Sequence, residues 1–177
     1  MKILFYICLI GSLLCAQIQP TFAQEKRPVK PLFAKGDWQL GLKVGHGPSP
    51  LLGTRNTTQL AAGYYIVNGL LLGLTSSYTT ELAEPVLHKN VLSAGPLIRY
   101  QFISGRLSPY TESAYQLGRR STEMEQSLSF TLGLSVGLVA GLRLDLGYNF
   151  QYIKSNYFQG GADQTHIGIN YLFRSKQ

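Results

Sequence analysis

Charge is scarce in this chain. Asp, Glu, Lys and Arg make up 14% of its 177 residues, against roughly a quarter in ordinary soluble domains, and a surface facing water usually needs more. Cysteine is scarcer still. Cys8 and Cys15 both fall within the first 23 residues, so removal of that stretch would exclude disulfides, thiol redox chemistry and thiolate metal sites. Long apolar runs are missing too, since beyond residue 23 no segment approaches the roughly 18 consecutive apolar residues of a helical membrane span. The three histidines, His46, His88 and His166, stand at no spacing that suggests a metal site or a catalytic triad. The basic excess of +7 is scattered, with no run longer than Arg119-Arg120, so nucleic acid is not an expected partner.

What the chain does have begins with an address. Lys2 precedes an apolar run over 3–14 and a polar stretch ending Thr21-Phe22-Ala23, the layout of a secretory signal peptide. The run is too short for a membrane anchor, which needs roughly 20 residues. Residues 1–23 are therefore expected to be removed, with cleavage after Ala23 preferred over Ala16. Attachment of lipid at Cys15 is disfavoured by Leu14, which stands where a small residue is required. Only Lys2 carries charge in this stretch, so the net charge falls from +7 to +6. Residues 24–35 hold two prolines and four cations without periodicity and read as a flexible periplasmic tail.

From 36 to 177 apolar side chains alternate with Gly, Ser, Thr, Gln and a few charges, the period of a β-strand. Eight strands are expected, at about 37–45, 57–67, 70–80, 91–102, 107–117, 127–137, 142–152 and 164–173. The sixth is the cleanest: Leu128, Phe130, Leu132, Leu134 and Val136 alternate with Ser127, Ser129, Thr131, Gly133, Ser135 and Gly137. Leu71 breaks the alternation of the third. Pro96 and Pro109 each remove a ladder donor and suggest bulges. Asn68-Gly69, Ser104-Gly105 and Ala140-Gly141 are tight-turn signals, whereas longer loops are expected near 46–56, 81–90, 118–126 and 153–163.

Strands of about 9–11 residues suit a tilted bilayer crossing. Short turns at one end and long loops at the other are how outer-membrane barrels are built. A closed barrel also pairs every backbone group without an edge, which lipid demands. Volume decides which face points inward. The interior of an eight-stranded barrel is barely wide enough for its own side chains, so the Leu, Tyr, Phe and Trp set must face out. Aromatics gather toward strand ends: Trp38, Tyr64, Tyr100, Phe102, Tyr171 and Phe173 at the turn end, and Tyr78, Tyr115, Phe150 and Tyr152 at the loop end. Two such belts fit the two bilayer interfaces. The expected fold is thus all-β: an eight-stranded antiparallel up-and-down transmembrane β-barrel with periplasmic termini.

The stretches Gly95-Pro96-Leu97-Ile98-Arg99-Tyr100, Pro109-Tyr110-Thr111-Glu112 and Ile167-Gly168-Ile169-Asn170-Tyr171-Leu172-Phe173 carry a resemblance. The chain resembles the small outer-membrane β-barrel proteins of the OmpA/OmpX type, and especially the OMP β-barrel-domain proteins of Bacteroidetes. The resemblance implies the outer membrane of a Gram-negative cell. It also implies recognition of an aromatic-ended last strand by the outer-membrane assembly machinery, although Arg174-Ser175-Lys176-Gln177 follow Phe173 here.

The inward charges are expected to be Lys43, Arg99, Glu112, Arg143 and Asp145. In a narrow lumen they must pair, and Arg99 with Glu112 on adjacent strands is the first candidate. No catalytic, cofactor-binding or metal residue is expected. Some eight-stranded lipid A deacylases carry a catalytic His followed two residues later by Ser, but Gly168 stands two residues after His166. Function on rigid barrels resides in loops, where Arg119, Arg120, Glu123, Glu125, Asn156, Tyr157 and Phe158 are the residues that would meet lipopolysaccharide or a surface partner. A monomeric, non-enzymatic structural or adhesion protein is the expectation, with a lipid-modifying enzyme second and a narrow channel third.

Overall fold

A computed structural model describes residues 32–49, 53–83, 87–120, 123–155 and 159–175. The expected signal peptide lies outside them, as do Asn156, Tyr157 and Phe158. Eight strands follow one another: β1 (Trp38–Pro48), β2 (Thr54–Val67), β3 (Leu70–Ala83), β4 (Leu87–Gln101), β5 (Leu107–Arg120), β6 (Glu123–Val139), β7 (Leu142–Lys154) and β8 (Gln159–Phe173). Each pairs antiparallel with its chain neighbours, and β8 returns to β1 with Trp38 opposite Phe173, so the sheet closes into a barrel.

The two faces separate as the alternation requires. Along β1, Trp38, Leu40, Leu42 and Val44 are exposed, while Gln39, Gly41 and Lys43 are buried. Leu74 on β3 is 69% exposed and Arg99 on β4 is 1% exposed. Such an arrangement is stable only where lipid covers the outside. Outward aromatics stack along or across strands, with ring centroids 5.2 Å apart for Trp38–Tyr64, 5.1 Å for Tyr100–Phe102 and 4.7 Å for Tyr171–Phe173 at the turn end. Leu71 does not interrupt β3. It faces the lumen in its proper register and packs with Ala61, Tyr65 and Leu97.

Three expectations are corrected. The connections expected to be long span only 49–53, 84–86, 121–122 and 155–158, comparable with the turns at 68–69, 102–106 and 140–141. The strands themselves overshoot the apolar belt. In Thr54-Arg55-Asn56-Thr57-Thr58 both faces are polar, which looks like loop in sequence, yet the backbone pairs with β1 and β3 throughout. Secondly, no register shift occurs at either proline. Pro96 keeps Leu74 as its partner on β3, and pairing with β5 resumes in the same register from Ala94–Leu117 to Leu97–Ala114. A missing donor costs one rung without displacing a strand held on both sides. The shifts fall instead at Tyr65/Val67 and Gly137/Val139, beside the turns at Gly69 (φ 81°) and Gly141 (φ 80°), where an extra residue adds the twist a tight hairpin needs.

The third correction concerns the end of the tail, since residues 24–31 lie outside the described residues and only 32–35 are seen. Residues 32–37 turn back into the barrel mouth, and Phe33 is fully buried. The Phe33 carbonyl accepts from Gly69 N at 2.9 Å, Lys35 N donates to Asn68 Oδ1 at 2.9 Å, and Ser104 Oγ donates to the Leu32 carbonyl at 2.8 Å. Asp37 ties this segment to the stretch after β8, accepting from Ala34 N and Ser175 N at 3.1 Å each. An aromatic ring over an open apolar mouth gains by burial, which composition alone does not reveal.

Candidate functional site

The lumen is filled in layers. At the turn end the Phe33 ring lies 5.6 Å from that of Tyr65, and the Arg143 guanidinium sits 4.7 Å over it. Arg143 was expected among the ion pairs. It is satisfied instead by hydroxyl and carbonyl oxygens: Nε donates to Ser135 Oγ at 2.9 Å, and Nη2 donates to the carbonyls of Ser135, Gly105 and Arg106 at 3.0, 3.2 and 3.3 Å. The Tyr65 hydroxyl donates to Gln39 Oε1 at 2.6 Å, and Gln39 Nε2 donates to Asn170 Oδ1 at 3.0 Å.

Above this lies the charged layer, two cations against two carboxylates. Lys43 Nζ on β1 donates to both oxygens of Glu112 on β5, at 2.5 and 2.6 Å. Arg99 on β4 reaches Asp145 on β7 at 2.6 Å and Glu112 at 3.5 Å. Arg99 and Glu112 are register partners on adjacent strands, but the shorter contacts run across the lumen. All four side chains are buried. With charges so deep, pairing is what keeps them from a desolvation cost of several kcal/mol each. Tyr110 lies under Arg99, whose guanidinium carbon is 3.7 Å from the ring centroid. Gln101, with its amide oxygen toward Arg99, accepts from Nε at 3.0 Å and Nη2 at 2.9 Å and donates to Ser108 Oγ at 3.0 Å.

His166 faces inward, and its Nε2 is 2.9 Å from the Tyr110 hydroxyl. The half of the lumen nearer the loops holds neutral polar groups. Ser77 and Ser93 hydroxyls meet at 2.7 Å and both reach Gln116 Oε1, at 3.1 and 3.3 Å. Gln59 Nε2 donates to Thr75 Oγ1 at 2.7 Å and Gln164 Nε2 to Thr57 Oγ1 at 3.1 Å. A cavity of about 20 Å³ remains among them, room for about one water. Toward the rim, Arg55 and Glu81 approach to 3.9 Å, and Val91 and Ile153 are buried with them.

Among the loop candidates, Arg119 is exposed and pairs in register with Leu92 and Met124. Arg120 and Glu123 end β5 and begin β6, opposite each other. Glu125 is corrected: it is buried toward the lumen on β6, and so are Arg55 and Glu81, which fall within stretches expected to be loops. Period-two alternation puts Tyr65, Gln101, Tyr110 and Asn170 on the inward faces of their strands, and all four are buried in the lumen network; for Phe33 the sequence carries no such signal.

No protein-family model matches the sequence, and no curated protein matches it. Solved structures do match. The chain is similar to Neisserial surface protein A, with TM-score 0.63 and 20% identity over 76% of this chain and 95% of that one. It is similar to the outer membrane enzyme PagL, with TM-score 0.55 and 14% identity over 74% and 98%. The N-terminal β-barrel domain of OprF from Pseudomonas aeruginosa matches with TM-score 0.54 and 15% identity over 78% and 98%. At such identities the likeness is one of fold, and the fold of this chain is that of the small eight-stranded outer-membrane β-barrels.

Proposed function

We propose that this chain is a non-enzymatic outer-membrane barrel of a Gram-negative cell, which acts at the cell surface through the polar ends of its strands and their connections. In this reading residues 1–23 direct export, the assembly machinery inserts the barrel, and lipopolysaccharide surrounds its outer half. The kinship with Bacteroidetes barrel-domain proteins belongs to the same proposal. The observation that carries it is the filled lumen. Lys43, Glu112, Arg99 and Asp145 pair with one another across the lumen, which among the described residues supports a packed interior over a solute path.

The enzyme reading is supported by the fold shared with PagL. Against it, His166 is turned from the lipid toward Tyr110. Lipid A isolated from a deletion strain and from its parent should be identical by mass spectrometry, and a missing acyl-chain modification would reverse the assignment. For the surface role, adhesion lost on deletion should return with the wild-type chain. It should not return when Arg119-Arg120 and Asn156-Tyr157-Phe158 are replaced by Gly and Ser in a barrel that still folds. Full adhesion by that variant would remove these residues from the proposal.

A further inference from the structure

The surface reading places lipid against the barrel's outer face, and one part of that face is built differently from the rest. On β3 and β7 the outward aliphatic and aromatic residues run on to Leu82 and Tyr152. On β8, β1 and β2 they end at Ile167, Val44 and Leu60, and the next outward positions are Thr165, His46 and Thr58. There an open groove of about 510 Å³ runs between Val44, His46, Asn56, Thr58, Thr165 and Ile167. Its apolar half continues the lipid-facing belt, since Val44 and Ile167 are register partners across the β1–β8 seam. Its polar half is ordered by hydrogen bonds.

Those bonds decide what the groove can take. His46 Nδ1 lies 2.8 Å from Asn56 Oδ1. A carboxamide oxygen only accepts, so Nδ1 carries a proton, and in the tautomer with a single ring proton Nε2 accepts. The Thr165 hydroxyl donates to the His46 carbonyl at 3.3 Å, which leaves its oxygen to accept as well. Asp163, the next outward residue along β8, is exposed and hydrogen-bonds Tyr148 on β7, on the side of β8 away from the groove. Asn56 Nδ2 keeps its N–H donors, Thr58 and Thr165 bring hydroxyls, and neither Lys nor Arg is among the residues lining the groove, so it offers neutral donors and acceptors that match sugar hydroxyls and no cation for a phosphate.

We propose that this groove binds a sugar-headed membrane lipid, its acyl chain along Val44 and Ile167 and its hydroxyls donating to His46 Nε2 and Thr165 Oγ1. The site rests on the membrane reading above and adds a ligand class to it. The test uses the whole exported chain, folded in detergent, and native mass spectrometry with monoglucosyl diacylglycerol, phosphatidylglycerol and phosphatidylethanolamine of identical acyl chains. Wild-type barrel should retain one glucosyl lipid in preference to either phospholipid. His46→Phe, which keeps a lipid-compatible surface, should retain about fivefold less, the scale of one lost hydrogen bond, and Thr165→Val should behave alike. Equal retention by wild type and His46→Phe, or equal retention of the phospholipids, would overturn the site. A wild-type sample with no heat-dependent shift on electrophoresis would overturn the membrane reading beneath it, through a measurement independent of lipid identity.

Discussion

Glu112 is the residue on which the charged layer turns, because it faces Lys43 and Arg99 at once. Removing it leaves two cations competing for Asp145 at a depth water does not reach. Breaking a buried pair from one side costs about 3–5 kcal/mol, whereas replacing both partners with apolar groups is often neutral. Glu112→Ala should therefore lower the unfolding free energy of the micelle-bound barrel by that amount, read from its shifted urea transition, and Lys43→Met with Glu112→Met should recover most of it. Trp38 is the only tryptophan and is exposed on the lipid-facing side, so its fluorescence follows the transition directly. An unchanged midpoint for Glu112→Ala would mean that the layer is not a source of stability. The identity of the layer's members was readable from alternation, since Lys43, Arg99, Glu112 and Asp145 all stand at inward positions. Who pairs with whom was not. Lys43–Glu112 and Arg99–Asp145 cross the lumen between non-adjacent strands, and that geometry depends on how far the sheet shears on closing, which no single strand encodes.

Two elements carry more than their sequences suggest. The first is the segment 32–37, whose Phe33 holds a left-handed backbone at φ 63°. That is a costly conformation for a bulky residue, maintained here by ring burial against Tyr65 and Arg143 and by the carbonyl bond from Gly69. Phe33→Ala should lose about 3 kcal/mol, the low end for an aromatic core truncation, in the same urea assay. In a chain from which residues 1–23, and with them Cys8 and Cys15, have been removed, Phe33→Cys should resist a water-soluble maleimide until the barrel is unfolded; rapid labelling of the folded form would show that the segment does not seal the mouth. The second element is the β4–β5 seam, where a Cβ on Gly95 would come within 1.9 Å of the Tyr115 carbonyl oxygen. Gly95→Ala must push β5 away beside the rung already lost at Pro96, so the fraction that folds, read by the heat-dependent electrophoretic shift, should fall sharply. Strand existence and facing were legible from period-two alternation. Strand length was not, because beyond the belt both faces turn polar while backbone pairing continues, and the plug was hidden because Pro and Lys in 24–35 mask the one aromatic that matters.

At the scale of the whole barrel, the layers form seals in series. Phe33 and Tyr65 close one mouth, Lys43, Arg99, Glu112 and Asp145 bridge the middle, and Arg55 with Glu81, Val91 and Ile153 narrow the other end. Conduction needs a continuous wet path with sites weak enough to leave, and opening one seal leaves the others in place. The wild-type barrel in a planar bilayer should show no unitary current. Phe33→Ala alone and Arg99→Ala alone should also stay silent, because each truncation widens only one layer of a lumen whose cavities among the described residues include ones of only about 20 and 10 Å³. Current should emerge only when the plug and the charged layer are truncated together with Arg55→Ala. A unitary current from any single variant would mean that one layer alone holds the barrel shut, and the channel reading would then displace the surface-protein reading. Silence in all singles and current in the triple would make closure a property of the whole filled lumen, and would leave the outer surface and the strand ends as the places where this barrel meets the rest of the cell.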